Sequence, residues 1–185
     1  MSKWLYIGTG LILFQAVALY LMGQPDICEC GYVKLWEGAV VSSGNSQHLS
    51  DWYTPSHIIH GLLFYLGLWL LFPKRSVWFR LMLALGIEIG WELFENTDFI
   101  INRYREQALA QGYTGDSVIN SLSDTLAMVG GFLFASRFAV WASIALLIVF
   151  EMFVGYSIRD NLTLNIVQLV HPIQALSNWQ SGGGH

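Results

Sequence analysis

The sequence predicts an all-α integral membrane protein: a bundle of about five transmembrane helices with a long periplasmic loop and an interfacial C-terminal segment. Three observations carry that prediction. Of 185 residues, 54% are hydrophobic and 12% charged, against about 25% charged in soluble domains. Apolar runs of near-spanning length recur at 4–22, 55–72, 77–97, 116–136 and 138–158. Eight Trp and eight Tyr supply side chains for interfacial belts. No length remains for a soluble domain, so 1–185 reads as a single transmembrane domain. A net charge of −4 without a basic run argues against a nucleic-acid partner.

The first span follows Lys3. Ala16-Val17-Ala18 imitates a signal-peptidase site, but the apolar run continues through Leu19-Tyr20-Leu21-Met22, which reads as an uncleaved helix. The connection from Gly23 to Thr54 is too long for an idle linker. Within it, Tyr32 to Val41 reads as a short strand or an interfacial piece. Cys28 and Cys30 stand too close for an unstrained bridge, which leaves a metal or redox role as their alternative.

Pro55 suits the start of the second span, and Pro73-Lys74-Arg75-Ser76 is a tight basic turn into the third. A loop over 98–115 carries Arg103, Arg105 and Glu106. The fourth span contains Gly130-Gly131, a pair that permits close helix approach. Arg137 marks the turn into the fifth. Leu162 to Val170 is too short to cross and lies along the interface or packs on the bundle. Ser181-Gly182-Gly183-Gly184 reads as a flexible end.

Orientation follows from the short loops. Lys3, Lys74, Arg75, Arg80 and Arg137 fall at one set of ends, assigned to the cytoplasm of a bacterial inner membrane. The N-terminus is then cytoplasmic and the C-terminus periplasmic. The acids fall in the outer segments or in the spans at or outward of mid-membrane.

Ionisable side chains are costly in a membrane and mark functional sites by default. Glu88, Glu92 and Glu95 stand at i, i+4 and i+7, on one face of a helix. His57 and His60 share a face of the second span. Asp116, Asn120 and Asp124 descend the fourth. At about 1.5 Å per residue these groups reach similar depth in the outer leaflet. Glu88 reads as a protonated or hydrogen-bonded acid. Glu151 reads as a deep partner of Asp124 or as a helix contact.

Two imidazoles and two carboxylates, His57, His60, Glu92 and Glu95, make a plausible set for a divalent metal ion such as zinc. Asp124, Asp116 and Glu92 are the catalytic candidates, as acid, base or further ligands. Arg103, Arg105 and Asn120 are the substrate-binding candidates, the arginines for an anionic group. Each has a plain alternative: interfacial histidines, headgroup-facing arginines, an interhelical amide bond. Gly115-Asp116-Ser117 lacks the context of a serine nucleophile elbow, and Arg159-Asp160-Asn161 could cap the mouth of a cavity.

The chain resembles a family of small bacterial inner-membrane proteins defined only as a domain of unknown function. The resemblance lies in Ser46-Gln47-His48-Leu49-x-Asp51-Trp52-Tyr53, Ser56-His57-Ile58-Ile59-His60-Gly61 and Trp91-Glu92-x-x-Glu95-Asn96-Thr97. It continues in Arg103-Tyr104-Arg105, Gly112-Tyr113-x-Gly115-Asp116-Ser117-x-x-Asn120-Ser121 and Arg159-Asp160-Asn161-Leu162-Thr163-Leu164-Asn165. It implies a multi-span inner-membrane protein and supplies no activity. A fainter similarity to the VanZ-like group, which is associated with the cell envelope, rests on His60 to Phe64, the acidic third span and Asp124 with Gly130-Gly131. Met128 stands where that group is expected to have Asn.

The leading expectation is a periplasm-facing polar pocket that hydrolyses or transfers a group on an envelope lipid or lipid-linked substrate. The alternative is a non-enzymatic assembly factor or accessory subunit of a membrane complex, whose buried charges form a structural network. A proton or ion pathway along Glu151, Asp124 and Glu88 is a third reading, weakened by the lack of acids in the cytoplasmic half.

Overall fold

A computed structural model describes residues 2–182. Eight helices form among the described residues: α1 Ser2–Leu21, α2 Thr54–Leu71, α3 Val77–Glu95, α4 Asp98–Arg105, α5 Val118–Arg137, α6 Val140–Ile158, α7 Leu162–Val170 and α8 Gln174–Ser181. The protein is an all-α membrane protein. Four helices are long and apolar enough to cross a membrane: α1, α2, α5 and α6. The third expected span, α3, matches them with 19 residues. It carries Arg80, Glu88, Glu92 and Glu95, however, and all but Glu95 are buried.

Local chemistry sets the ends. Ser76, Ser117 and Asn161 cap α3, α5 and α7 by accepting from Phe79 N, Asn120 N and Leu164 N. Pro55 sits in the first turn of α2. Arg159 ends α6 in the left-handed region at φ 58°.

The bundle is centred on α2 and α5, which form its most extensive helix pair. Two glycines explain the closeness. A Cβ on Gly61 would lie 2.1 Å from Met128 O, and one on Gly131 would lie 2.1 Å from Ile58 O. The expected small-residue contact is thus made by Gly131 with Gly61, whereas Gly130 faces open space. The apolar core beside this crossing is Leu68, Leu81, Ala84, Leu85, Ile89, Met128 and Phe132. Outward faces of α1 and α6, including Leu13, Phe14, Trp141 and Met152, are apolar and exposed, as lipid-facing helices require.

Five of the nine basic residues, Lys3, Lys74, Arg75, Arg80 and Arg137, fall at one end. Trp4 meets Phe79 at 6.5 Å and Phe72 meets Phe79 at 5.9 Å between ring centroids, which brings Lys3 beside the Lys74-Arg75 turn. The segment 22–53 lies at the other end. No strand forms among the described residues; in that segment Glu37 N bonds Ser50 O and Leu49 N bonds Lys34 O, without a ladder. Cys28 and Cys30, expected to stand too close for an unstrained bridge, are joined as a disulfide. Their α-carbons are 5.1 Å apart, within the ordinary range for a bridge. The tail adds α8, where Ser181 is still helical. Gly183 and Gly184 of the expected flexible end Ser181–Gly184 lie outside the described residues.

Candidate functional site

The first turns of α2 and α5 and the C-terminal half of α3 bring their ionisable groups together. His57 Nδ1 stands 2.7 Å from Glu88 Oε1 and 3.3 Å from Glu92 Oε1, while its Nε2 lies 3.8 Å from Asp124 Oδ2. His60 Nδ1 lies 3.1 Å from Glu88 Oε2. Glu88 is fully buried and serves both rings. Asp124 Oδ1 accepts from the Thr54 hydroxyl at 2.9 Å. An imidazole between carboxylates on two helices is held in register and stabilised as a cation, the arrangement a proton-transfer base needs.

Behind these groups a hydrogen-bond network fastens α1. Ser121 donates to Glu92 Oε2 at 2.6 Å and accepts from Gln15 Nε2 at 2.8 Å, and Thr125 donates to Gln15 Oε1 at 3.0 Å. Toward the loop, Asp116 accepts from Tyr113 OH and from Asn96 Nδ2, both at 2.8 Å, and its amide donates to Asn96 Oδ1. Tyr53 donates to Asp160 at 3.1 Å and Tyr104 to Asn165 at 3.3 Å. Burial, and then the charge of the neighbouring acid, holds the Tyr53 and Tyr113 hydroxyls well above the usual phenol range, so both remain donors. Burial pushes Asp160 up to about 6, against hydrogen bonds that favour its ionised form.

These groups border a cavity of about 520 Å³. One wall holds His57, His60, Glu95, Asp116 and Asp124 with Tyr53, Tyr104 and Tyr113. The other is apolar, with Leu63 and Phe64 from α2, Ile87 and Trp91 from α3, and Leu162, Ile166, Leu169 and Val170 from α7. Helix α7 therefore packs on the bundle as a wall of the cavity. Among the described residues, three groups of side chains have donor atoms close enough to share a metal ion: His57, His60 and Glu88; Glu92, Glu95 and Asp116; and Cys28, Cys30 and His48, of which the cysteines are already bonded to each other.

A family model described as a protein of unknown function, DUF2585, matches residues 19–182. The chain belongs to this family. Among its DUF2585 relatives, a UPF0314 protein of Agrobacterium fabrum is 55% identical over 179 residues, covering 97% of this chain and 90% of the relative. One of Rhizobium meliloti is 56% identical over 182 residues, covering 98% and 92%. One of Sphingopyxis alaskensis is 52% identical over 182 residues, covering 98% and 96%. No solved structure matches the chain.

The DUF2585 structure redistributes the residues singled out in the sequence. The expected metal set of His57, His60, Glu92 and Glu95 divides in part: both histidines face Glu88, Glu92 lies 3.3 Å from His57 yet also groups with Asp116, and Glu95 belongs to that second group. The seven-residue step from Glu88 to Glu95 explains the division, because it displaces Glu95 two turns, about 10 Å, along α3. Asp124 and Asp116 line the cavity, with Glu92 behind the wall. Arg103 and Arg105 do not line it. Arg103 donates to Leu169 O and Glu106, tying α4 to α7, and Arg105 donates to Tyr113 O. Asn120 also lies outside the lining and donates to His48 O at 2.7 Å, fastening the long loop to α5. Glu151 is no partner of Asp124: its carboxylate accepts from Leu162 N and Thr163 N at the start of α7. Asp160 ties Tyr53 to Gln180 Nε2. The sequence reading missed Tyr53, Tyr104, Tyr113, Asn96, Gln15 and Ser121, whose roles carry no periodic signal. Glu88's pairing with the histidines was missed as well, in favour of Glu92 and Glu95.

Proposed function

We propose that this protein is an enzyme of the bacterial inner membrane that hydrolyses or transfers a group on an amphiphile of the cell envelope, a lipid or lipid-linked molecule. The observation that carries the reading is the cavity: about 520 Å³, with ionisable groups on one wall and an apolar wall built from α2, α3 and α7. A head group is accommodated on the first wall and a hydrocarbon chain on the second. In this reading α3 is the fifth span, its acids turned inward. In this reading the cavity faces the periplasm: five of the nine basic residues, those at span ends and in short turns, lie at the opposite end, and the Cys28–Cys30 disulfide suits an oxidising compartment.

The reaction falls at a phosphoryl or acyl centre. Water, or a hydroxyl of a second molecule, forms the new bond to that centre. Its proton passes to Asp124 or, in the metal-free protein, to His57 Nε2, and the leaving oxygen departs with a proton from the same group, which balances the step. In the metal-free protein Glu88 holds His57 and stabilises its protonated form. With metal, His57, His60 and Glu88 would hold a divalent ion such as zinc, Asp124 would orient the far nitrogen of His57, and Asp124 alone would serve as the base. When bound, the ion would polarise the oxygen of the reacting centre and lower the pKa of water.

The test is lipid mass spectrometry. Protein purified from membranes is expected to carry about one envelope amphiphile per chain, lost in Leu63→Trp, which fills the apolar wall. Cells producing the Asp124→Asn variant should accumulate that amphiphile unconverted. A folded wild type free of bound amphiphile would overturn the reading.

A second reading, a non-enzymatic assembly factor or accessory subunit of a membrane complex, is favoured by the Gln15–Ser121–Glu92 network, which joins three helices behind the cavity. It expects Glu92→Gln to lower abundance and partner recovery while leaving lipid composition unchanged.

A further inference from the structure

The cavity has acids and no arginine or lysine among its lining residues. Its ionisable lining is Glu95, Asp116 and Asp124 with two histidines. The nearby arginines are committed elsewhere, Arg103 to α7 and Glu106, Arg105 to a loop carbonyl. The lining thus offers no fixed cation to pair with an anionic head, whereas an ammonium head finds carboxyl groups to pair with.

Two further observations narrow the ligand. Glu92, Glu95 and Asp116 each place a carboxylate oxygen within 4.8 Å of the others. Glu92, 1% exposed, lies behind the lining with its Oε1 3.3 Å from His57 Nδ1. Glu95 and Asp116 are the acids of this group that reach the cavity, with no arginine or lysine beside them in its lining. Four aromatic side chains, Tyr53, Trp91, Tyr104 and Tyr113, line the same cavity. The Tyr104 and Tyr113 rings meet edge to face at 5.5 Å. Aromatic faces attract an ammonium group and take the place of its water, the chemistry by which quaternary ammonium is recognised.

We propose that the Glu95–Asp116 part of the cavity, walled by Tyr53, Trp91, Tyr104 and Tyr113, binds the ammonium head of a cationic or zwitterionic amphiphile. The inference rests on the reading of the cavity as an amphiphile site and names its substrate class. The ammonium pairs with Glu95 and Asp116, and the hydrocarbon chain runs along Leu63, Phe64 and Ile87. The His57–His60–Glu88 group, about two turns deeper along α3, is left to face the phosphoryl or acyl part of the same molecule.

Native mass spectrometry of the purified full chain tests this with three single-chain probes of equal acyl length: a lysophosphatidylcholine, a lysophosphatidylglycerol and an uncharged monoacylglycerol. The wild type is expected to prefer the choline head by about ten-fold over either other head. Glu95→Gln and, as a variant that removes no buried charge, Trp91→Leu should each bring the three affinities to within about two-fold of one another. Equal binding of all three probes by the wild type would overturn the ammonium site while leaving the amphiphile reading standing. Binding of none would overturn both. A choline preference that survives in both folded variants would also overturn this site.

Discussion

His57 and Glu88 face each other from α2 and α3 at 2.7 Å, and the same carboxylate reaches His60 at 3.1 Å. The partner of both imidazoles is thus the deepest acid of α3. Glu88→Gln and His57→Ala are therefore expected to abolish bound metal in the purified protein, measured by elemental analysis, while Glu95→Gln retains it. Metal that follows Glu95 would place the ion in the other carboxylate group. Both Glu88→Gln and His57→Ala should also cost about 3–5 kcal/mol, since each leaves a buried partner uncompensated. Thermal unfolding in detergent reads that loss.

The α2–α5 crossing makes a sharper stability prediction. Alanine at Gly131 would push its Cβ into Ile58 O, so the helices must separate. Gly131→Ala should cost at least about 2 kcal/mol despite its better helix propensity. Gly130→Ala meets nothing within 4 Å and should be neutral or stabilising by up to about 1 kcal/mol. Equal melting temperatures for the two variants would contradict the crossing.

Asp160 gives a pH dependence. Its pKa rises from the ordinary 3.8 to about 6 on folding, chiefly through burial. The folded state therefore binds this proton more tightly than the unfolded chain does. Its contribution to stability is full below about pH 4 and is lost as pH rises through about 6, an amount on the order of 3 kcal/mol. Asp160→Asn should flatten unfolding free energy across that window. Parallel curves for variant and wild type would show that Asp160 titrates normally.

Glu151 caps α7 from a neighbouring helix, accepting from Leu162 N and Thr163 N. Glu151→Ala should cost about 1 kcal/mol, the ordinary worth of a cap, and raise hydrogen exchange selectively in the first turn of α7. Exchange rising equally throughout the bundle would show a global effect instead.

Much of the fold was legible because lipid forces a simple code. Runs of apolar residues gave five helices within two residues at most ends, and the face shared by Glu88, Glu92 and Glu95 gave the direction of the site. The pairing was less legible. Three acids on one face do not say which of them meets the histidines, since that depends on how far α2 and α3 slide past each other. The tyrosines were invisible for another reason. Tyr53 and Tyr113 come from irregular segments whose path follows hydrogen bonds such as Gln47 Nε2 to Gly115 O, at a separation of 68 residues. Gln15 was hidden within an apolar run, where a single amide barely changes hydropathy. The arginines misled because a basic pair in a polar loop reads as an anion site until carbonyls of Leu169 and Tyr113 are seen to occupy it.

Where Gly61 meets Gly131, backbone lies against backbone with no layer of side chains between. Such a joint has nothing to slide on. It acts as a rivet, so α2 and α5 form one plate that fixes the spacing of His57 and Asp124. Helix α7 is fastened in the opposite way, by hydrogen bonds with Arg103, Tyr104 and Glu151. One side of the cavity is thus joined backbone to backbone, and the other is pinned at a few polar points.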